Sequence, residues 1–340
     1  MRSSKNRDTA LTAGALAAGA LLGAAAVGIG RRRCPQVVRT RSGLARVHMV
    51  LSEDGERVRV LSQGGVYQSA SYLGERRFEP VFSYYRGFDV LFEAEPAPQP
   101  RPSTVLMIGG GGFSYPKHLL TTADDVKLDV VEIDASLVRT ARRWFFLDEL
   151  ERRLSDPATA RGNELRVIFG EGRALLERGV GEVLPSSAQP ASEAPARRRR
   201  PGFISDGAGC ALRPLKDGEI ALPRYDAIIN DAFAGGAPAP ELATVEAVRA
   251  AASRLAPGGT YLVNVVSADG GRDLSFLRDE VATVREVFNH VHVVDASDEA
   301  WGGEGNYLIV ATDRAASFPG AIAYDASFPG MPIHDAAARP

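Results

Sequence analysis

Residues 104–113 read TVLMIGGGGF. Thr104–Ile108 has the length and apolar continuity of a buried strand. Four glycines follow, Gly109 to Gly112, where the absence of Cβ atoms lets a chain turn tightly and lets a ligand approach the backbone. A short helix is predicted after Pro116, and its first N–H groups would face the same spot. The unit is therefore strand, glycine turn, helix.

The same alternation repeats downstream. Strands are predicted at Leu128–Ile133, Leu165–Phe169, Asp226–Asn230 and Tyr261–Val266. Helices are predicted at Ala135–Phe146, Gly172–Arg178, Glu241–Leu255 and Leu274–Phe288. Strands alternating with helices mean an α/β, doubly wound parallel sheet. His290–Val294 and Tyr307–Ala311 have no helix between them and predict an antiparallel hairpin at one edge, an arrangement of the Rossmann methyltransferase type more than of dehydrogenases. Upstream, Val58–Leu61 and Val66–Ser69 flank Gly64-Gly65, a hairpin signal. Phe82–Phe92 is aromatic and helical in pattern, and Pro96, Pro98, Pro100 and Pro102 make a stiff boundary.

The expected organisation is thus an anchor and basic linker over 1–45, a small β-rich domain over 46–100, the Rossmann-type catalytic domain over 101–316 and a tail over 317–340. Residues 179–223 are rich in Pro, Ser, Ala and Gly and carry the run Arg197–Arg200. Connections at that point of such a sheet are short, so this stretch reads as a disordered surface insertion. Its arginines form either a solvated loop or a contact for anionic lipid.

The chain of 340 residues is 45% hydrophobic and 24% charged, the proportions of ordinary globular domains. Cys34 and Cys210 exclude a disulfide scaffold, and neither lies in a zinc-ligand pattern, so no metal is expected. The formal charge of −2 is uneven: residues 1–50 hold nine Lys/Arg against Asp8 alone, which leaves −10 for the remainder. An acidic folded part is a poor partner for nucleic acid. Thr9–Gly30 carries no charge, and as a helix it would run about 33 Å, against a bilayer core of about 30 Å. With Arg31, Arg32 and Arg33 on its carboxyl side, it reads as a membrane anchor leaving the catalytic domain in the cytoplasm. A signal peptide cleaved near Ala24-Ala25-Ala26 is the rival reading.

Several residues are placed for chemistry. Glu132 ends the second strand of the Rossmann part, where a carboxylate can accept hydrogen bonds from both ribose hydroxyls. Together with Gly109, Gly110 and Gly111 it points to an adenosine-type ligand. A dinucleotide fits less well, because Ser114 or Tyr115 stands where GxGxxG has its third glycine. Glu171, in Gly170-Glu171-Gly172, either accepts from an adenine amino group or is a carboxylate favoured by the start of a helix. Asp231 ends the fourth strand, beside the crevice where open α/β sheets bind ligands. There it either takes a proton from a nucleophile or caps the following turn. Gly235, Gly236, Pro238 and Pro240 would make a mobile covering loop.

The ordered series VLMIGGGGF, DVVEID, GEGRALL, YDAIINDAF and LAPGGTYLVNVVS, preceded by GGVYQSASYLGERRFEPVF, resembles the spermidine synthases, the polyamine aminopropyltransferases, over roughly residues 50–312. It is similar to the spermidine-synthase-like proteins often fused to membrane segments in bacteria. The resemblance implies a small β domain before a Rossmann core and a co-substrate of the S-adenosylmethionine type. Gly109, Gly110 and Gly111 would hold the methionine-derived part of decarboxylated S-adenosylmethionine, Glu132 the ribose, and Glu171 the adenine. Asp134 and Gly172 belong to the same cofactor-binding set, and Asp231 matches the catalytic Asp that deprotonates an amine. Possible homodimerisation is also implied.

Three departures stand out. The acid of the family's GGGDG is Gly112, the second acid of its D-x-x-D is Ala234, and its Tyr-Gln-Glu or Tyr-His-Glu is Arg77-Phe78-Glu79. Asp298, Glu299 and Glu304 could supply acids instead, or form a solvated face. The expected function is transfer of an aminopropyl group to a small-molecule amine. The alternatives are an S-adenosylmethionine-dependent methyltransferase, favoured by the missing Asp at 112, and a non-catalytic adenosyl-ligand-binding protein at the membrane.

Overall fold

Thr104–Ile108 forms the buried strand that its composition predicts, in the middle of the large sheet, and its alternating side chains enter two separate cores. In the computed structural model, residues 36–52, 55–97, 100–187, 203–204, 213–214, 216–234, 237–267, 273–297, 305–324 and 328–336 are described. Four antiparallel strands come first: β1 (Gln36–Thr40), β2 (Gly43–Leu51), β3 (Arg57–Gln63) and β4 (Val66–Tyr72), in that spatial order. Gly64 and Gly65 both have positive φ, which suits a tight hairpin between twisted strands. Residues 36–45, expected as linker, instead form the β1–β2 hairpin, in which Gln36 faces Val47 and Thr40 faces Gly43. The aromatic stretch coils into a short helix α1 (Tyr84–Gly87) and a 3-10 turn at Phe88–Phe92.

The large sheet is built from β5 (Thr104–Ile108), β6 (Lys127–Glu132), β7 (Glu164–Phe169) and β8 (Val180–Leu184). The two-residue strands β9 (Phe203–Ile204) and β10 (Arg213–Pro214) pair with each other apart from it. It continues with β11 (Glu219–Ala221) and β12 (Tyr225–Asn230). A second small pair, β13 (Phe233–Ala234) and β14 (Ala237–Pro238), follows β12. The rest comprises β15 (Leu255–Val266), β16 (His290–Asp295), β17 (Asn306–Thr312) and β18 (Ala321–Ile322). The order is β11-β8-β7-β6-β5-β12-β15-β17-β16-β18. β7, β6, β5, β12 and β15 are mutually parallel, and the remaining pairings are antiparallel. This is a Rossmann methyltransferase-type doubly wound sheet preceded by a small β-rich sheet.

The expected edge hairpin is present as β16–β17. A second antiparallel edge, β8–β11, arises at both ends of the stretch expected as disordered insertion; residues 188–202 and 205–212 within it lie outside the described residues.

Helices α2 (Ser114–Thr122), α3 (Ala135–Trp144), α4 (Leu147–Ser155) and α5 (Pro157–Ala160) lie between the first three parallel strands in sequence. α6 (Gly172–Arg178), α7 (Val245–Arg254) and α8 (Ser275–Arg285) follow. α2 starts before Pro116 rather than after it. Pro116 sits in its first turn, where a missing N–H costs no intrahelical bond. Val105, Met107, Val130 and Ile229 pack on the α2 side, with Phe88 and Tyr115; Leu106, Ile108, Val131 and Ile228 pack on the other, with Val248 and Val281.

Two further corrections concern the chain ends. Residues 317–340 are not simply a tail. Phe318 is buried, β18 joins the sheet, and residues 328–336 lie as a strap across α7 and α8. There Val245 N donates to Ile333 O at 2.8 Å, and Ile333 N to Thr283 Oγ1 at 2.9 Å. The membrane anchor and the cytoplasm-facing arrangement are not upheld. Among the described residues no helix is long and apolar enough to cross a membrane, and residues 9–30, on which that expectation rested, lie outside them.

Candidate active site

β5 and β12 run side by side in parallel and end level, so the turns after them share one crevice. Asp231 N donates to Ile108 O at 2.9 Å, which closes the end of this pair. Gly109 follows at φ 98°, and a Cβ built there would lie 2.3 Å from Asp231 O. Only glycine satisfies both the backbone angle and that close approach. Gly111 is different. It has φ 49°, and a Cβ there would meet nothing nearer than Gln68 O at 3.7 Å, so the space above it is open.

Glu132 lies under this turn and is 4% exposed. Its Oε2 accepts from Gly110 N at 3.0 Å and Gly111 N at 3.1 Å, and its Oε1 accepts from Asp134 N at 2.9 Å. Burial pushes its carboxyl above the ordinary range, while these three N–H groups pull the other way. The loop donors therefore point inward at a carboxylate. A phosphate would find the donors of Gly110 and Gly111 taken and a negative charge beneath them. An adenosyl sulfonium meets no such conflict, and Oε1 keeps a lone pair for a ribose hydroxyl.

The other expected residues are arranged as follows. Asp134 caps α3 by accepting from Ser136 N at 2.8 Å, and it also accepts from Arg41 N in the β1–β2 turn. Burial would raise its carboxyl, but these bonds prevail and hold it low. Glu171 caps α6, accepting from Arg173 N at 2.8 Å and Ala174 N at 2.7 Å, so its oxygens are engaged by its own helix. Gly172 is buried, and a Cβ there would lie 2.5 Å from Ile108 Cγ2. Gly109, Gly110, Gly111, Glu132 and Asp231 thus converge, whereas Asp134 and Glu171 bound the group through helix caps. Gly235, Gly236, Asp298, Glu299 and Glu304 lie outside the described residues. Among the described residues no three His, Cys, Asp or Glu side chains gather as a metal site.

Asp231 itself is half-buried. Burial pushes its carboxyl up to about 7, against the pull of its donor Asn264 Nδ2 at 2.8 Å. A carboxyl titrating there is matched to taking a proton near neutral pH. The Tyr85 hydroxyl on α1 faces it: burial and then the Asp231 charge push that phenol up, opposed by hydrogen bonds with Tyr84 and Ser69. Sequence reasoning missed Tyr85, Asn264 and Ser69. Asn264 was detectable as the polar residue inside the apolar run LVNVV, but nothing in the sequence pairs it with Asp231.

The small sheet reaches the glycine turn through β4. Ser69 Oγ lies 3.1 Å from Ser114 Oγ, and Ser114 Oγ donates to Ala70 O at 3.0 Å. A Cβ at Gly112 would lie 2.2 Å from Ser69 Oγ. The acid missing from position 112 is thus replaced by a packed strand, not by empty space. Gly112→Asp is expected to lower stability by about 2 kcal/mol through overpacking. Ser69→Gly in the same chain is expected to return at least half of that loss, measured by urea unfolding against the Ser69→Gly single variant. Equal stability of Gly112→Asp and wild type would refute the packing account.

No family model matches the chain. It is 31% identical over 120 residues to putrescine N-methyltransferase 2 of Nicotiana attenuata, a match covering 34% of this chain and 29% of that protein, so the chain spans under a third of that relative's length. Among solved structures it is similar to a probable spermidine synthase from Corynebacterium glutamicum, with TM-score 0.52 and 22% identity over 83% of this chain and 81% of that one. It is also similar to a spermidine synthase in complex with the transition-state analogue AdoDATO, with TM-score 0.54 and 17% identity over 85% of this chain and 75% of that one. The chain shares the fold of spermidine synthases.

Proposed function

We propose that the protein is a transferase that moves an alkyl group from a sulfonium co-substrate of the S-adenosylmethionine type to a small-molecule amine. The observation that carries this reading is the pairing of a raised Asp231 carboxyl with the Gly109–Gly111 turn, whose inward donors and buried Glu132 suit an adenosyl sulfonium rather than a phosphate. The open space above Gly111 would take the methionine-derived part, and the free lone pair of Glu132 the ribose. The amine nitrogen attacks the carbon next to sulfur; the C–N bond forms, the C–S bond breaks, and its electron pair leaves sulfur as a neutral thioether. Asp231 accepts the proton that nitrogen loses. Alignment of nucleophile, carbon and sulfur supplies most of the acceleration in such a displacement.

The aminopropyl group is the one implied by the resemblance to spermidine synthases. A second reading, methyl transfer from intact S-adenosylmethionine, is favoured by Ser69 filling the place of an acid at Gly112, since no carboxylate there repels the methionine carboxylate. The partial match to a putrescine N-methyltransferase supports amine alkylation in either form.

Calorimetric titration of the protein with decarboxylated S-adenosylmethionine, S-adenosylmethionine and methylthioadenosine tests this. Binding is expected, and Gly111→Asn is expected to weaken it at least about ten-fold at a stability cost of no more than about 1 kcal/mol, because Asn tolerates that backbone angle better than other side chains and fills the space. Preference for the decarboxylated form supports aminopropyl transfer, and preference for the intact form supports methyl transfer. Binding of none overturns the transferase reading.

A further inference from the structure

Asn230 faces Val263 across the parallel β12–β15 pair, so Asp231 and Asn264 follow as the next neighbours. On the far side of β15, Asn306 of β17 faces Val266 and lies diagonal to Asn264. The three polar side chains form one line: Asn306 Nδ2 donates to Asn264 Oδ1 at 3.1 Å, and Asn264 Nδ2 donates to Asp231 Oδ1 at 2.8 Å. Asn264 is 3% and Asn306 9% exposed, so neither amide can exchange its partner for bulk water.

An amide has a donor end and an acceptor end, and its orientation decides which one a neighbour meets. A donor facing a carboxyl favours the anion, and an acceptor facing it favours the acid. Asn264 is held with its NH₂ toward Asp231 because its oxygen is occupied by Asn306. Without Asn306, the reversed amide becomes available and would present oxygen to Asp231, which the protonated carboxyl matches. We infer that Asn306 is a positioning residue: acting through Asn264, it holds Asp231 in the ionised, proton-accepting state. Among the described residues, the titratable group that faces Asp231 is the Tyr85 hydroxyl on α1, which stays protonated throughout and contributes no charge of its own. The inference deepens the reading of Asp231 as the proton acceptor and rests on that reading for its catalytic meaning.

The test is a carbon-13 NMR titration of the Asp231 carboxyl in the full chain, assigned by its loss in Asp231→Asn. In Asn306→Leu, similar in size but without a donor, the midpoint is expected to move up by about one pH unit. In Asn306→Asp, which accepts from Asn264 and reverses it, the midpoint is expected to move up further. A midpoint within about 0.3 pH unit of wild type in Asn306→Leu would overturn the inference, since a merely structural role leaves it in place. A second measurement needs no Asn306 variant: in the wild type the side-chain amide signals of both Asn264 and Asn306 are expected to follow the Asp231 titration. An Asn306 signal that stays still overturns the relay. Neither readout uses turnover, so a relay that holds in a protein with no detectable transfer would sink the transferase reading alone.

Discussion

Asp231→Asn is expected to lower kcat by roughly 10²–10⁴-fold while leaving co-substrate affinity within about three-fold, because the amide keeps the shape of the carboxyl but cannot accept a proton. Wild-type turnover is expected to rise with pH and level off above about 7, where Asp231 becomes ionised. The same variant changes stability with a defined sign. The folded carboxyl titrates near 7 against an ordinary value of 3.8, so between those limits the folded chain keeps a proton that the unfolded chain has released. The stability linked to that proton is fully present below 3.8 and is lost as pH rises through about 7. Asn never ionises, so Asp231→Asn should be more stable than wild type by about 1–3 kcal/mol at pH 8 and nearly equal to it at pH 4. Urea unfolding at the two pH values checks this. Equal stability at pH 8 would mean that Asp231 is not desolvated in the folded protein.

Lys117→Met is expected to give a large pH-dependent change away from the crevice. Lys117 lies on α2 against the small sheet, is 1% exposed, and donates to Ser71 Oγ and to Phe145 O at 2.9 Å, with no carboxylate as its partner among the described residues. Burial, then the nearby Arg59 charge, pushes its ammonium down to about 7 from 10.5. Between those values the unfolded chain holds a proton that the folded chain does not, so stability rises with pH across that window, by at most about 1.4 kcal/mol per pH unit. Met carries no proton. The advantage of Lys117→Met over wild type is therefore expected to be greatest below pH 7 and to shrink by about 2 kcal/mol between pH 7 and 9. Parallel stability curves for the two proteins would show that Lys117 keeps its ordinary affinity for a proton.

The Rossmann half was legible because its signals are local. Thr104–Ile108 and Gly172–Arg178 match the sequence boundaries, since an apolar run between turns and a helix opened by a capping Glu171 need no distant partner to be recognised. The β1–β2 hairpin was missed because Gln36–Thr40 is mostly exposed, does not alternate and follows a basic run, and its pairing depends on Gly43 and on Arg41 N reaching Asp134 at the start of α3. The β8–β11 edge was missed because its strands are short and separated by a stretch of turn-forming residues. Within the candidate site, Gly109, Glu132 and Asp231 were legible as residues at strand ends. Their use of one another was not. That Glu132 takes the amides of Gly110 and Gly111, or that Ser69 occupies the room beside Gly112, follows only from the way β4 docks on the turn.

The strand order also sets a timetable for synthesis. β15 pairs with β17, not with β16, although β16 is made first. As the chain leaves the ribosome, β15 and β16 are both complete before Asn306–Thr312 exists to be threaded between them. Until then β15, with Leu262, Val263 and Val265 destined for the interior, has a bare hydrogen-bonding edge, the kind of surface that captures foreign strands. The growing chain therefore depends on Asn306–Thr312 to seal that edge, and a nascent chain stalled before Asn306 would be a natural client for a chaperone.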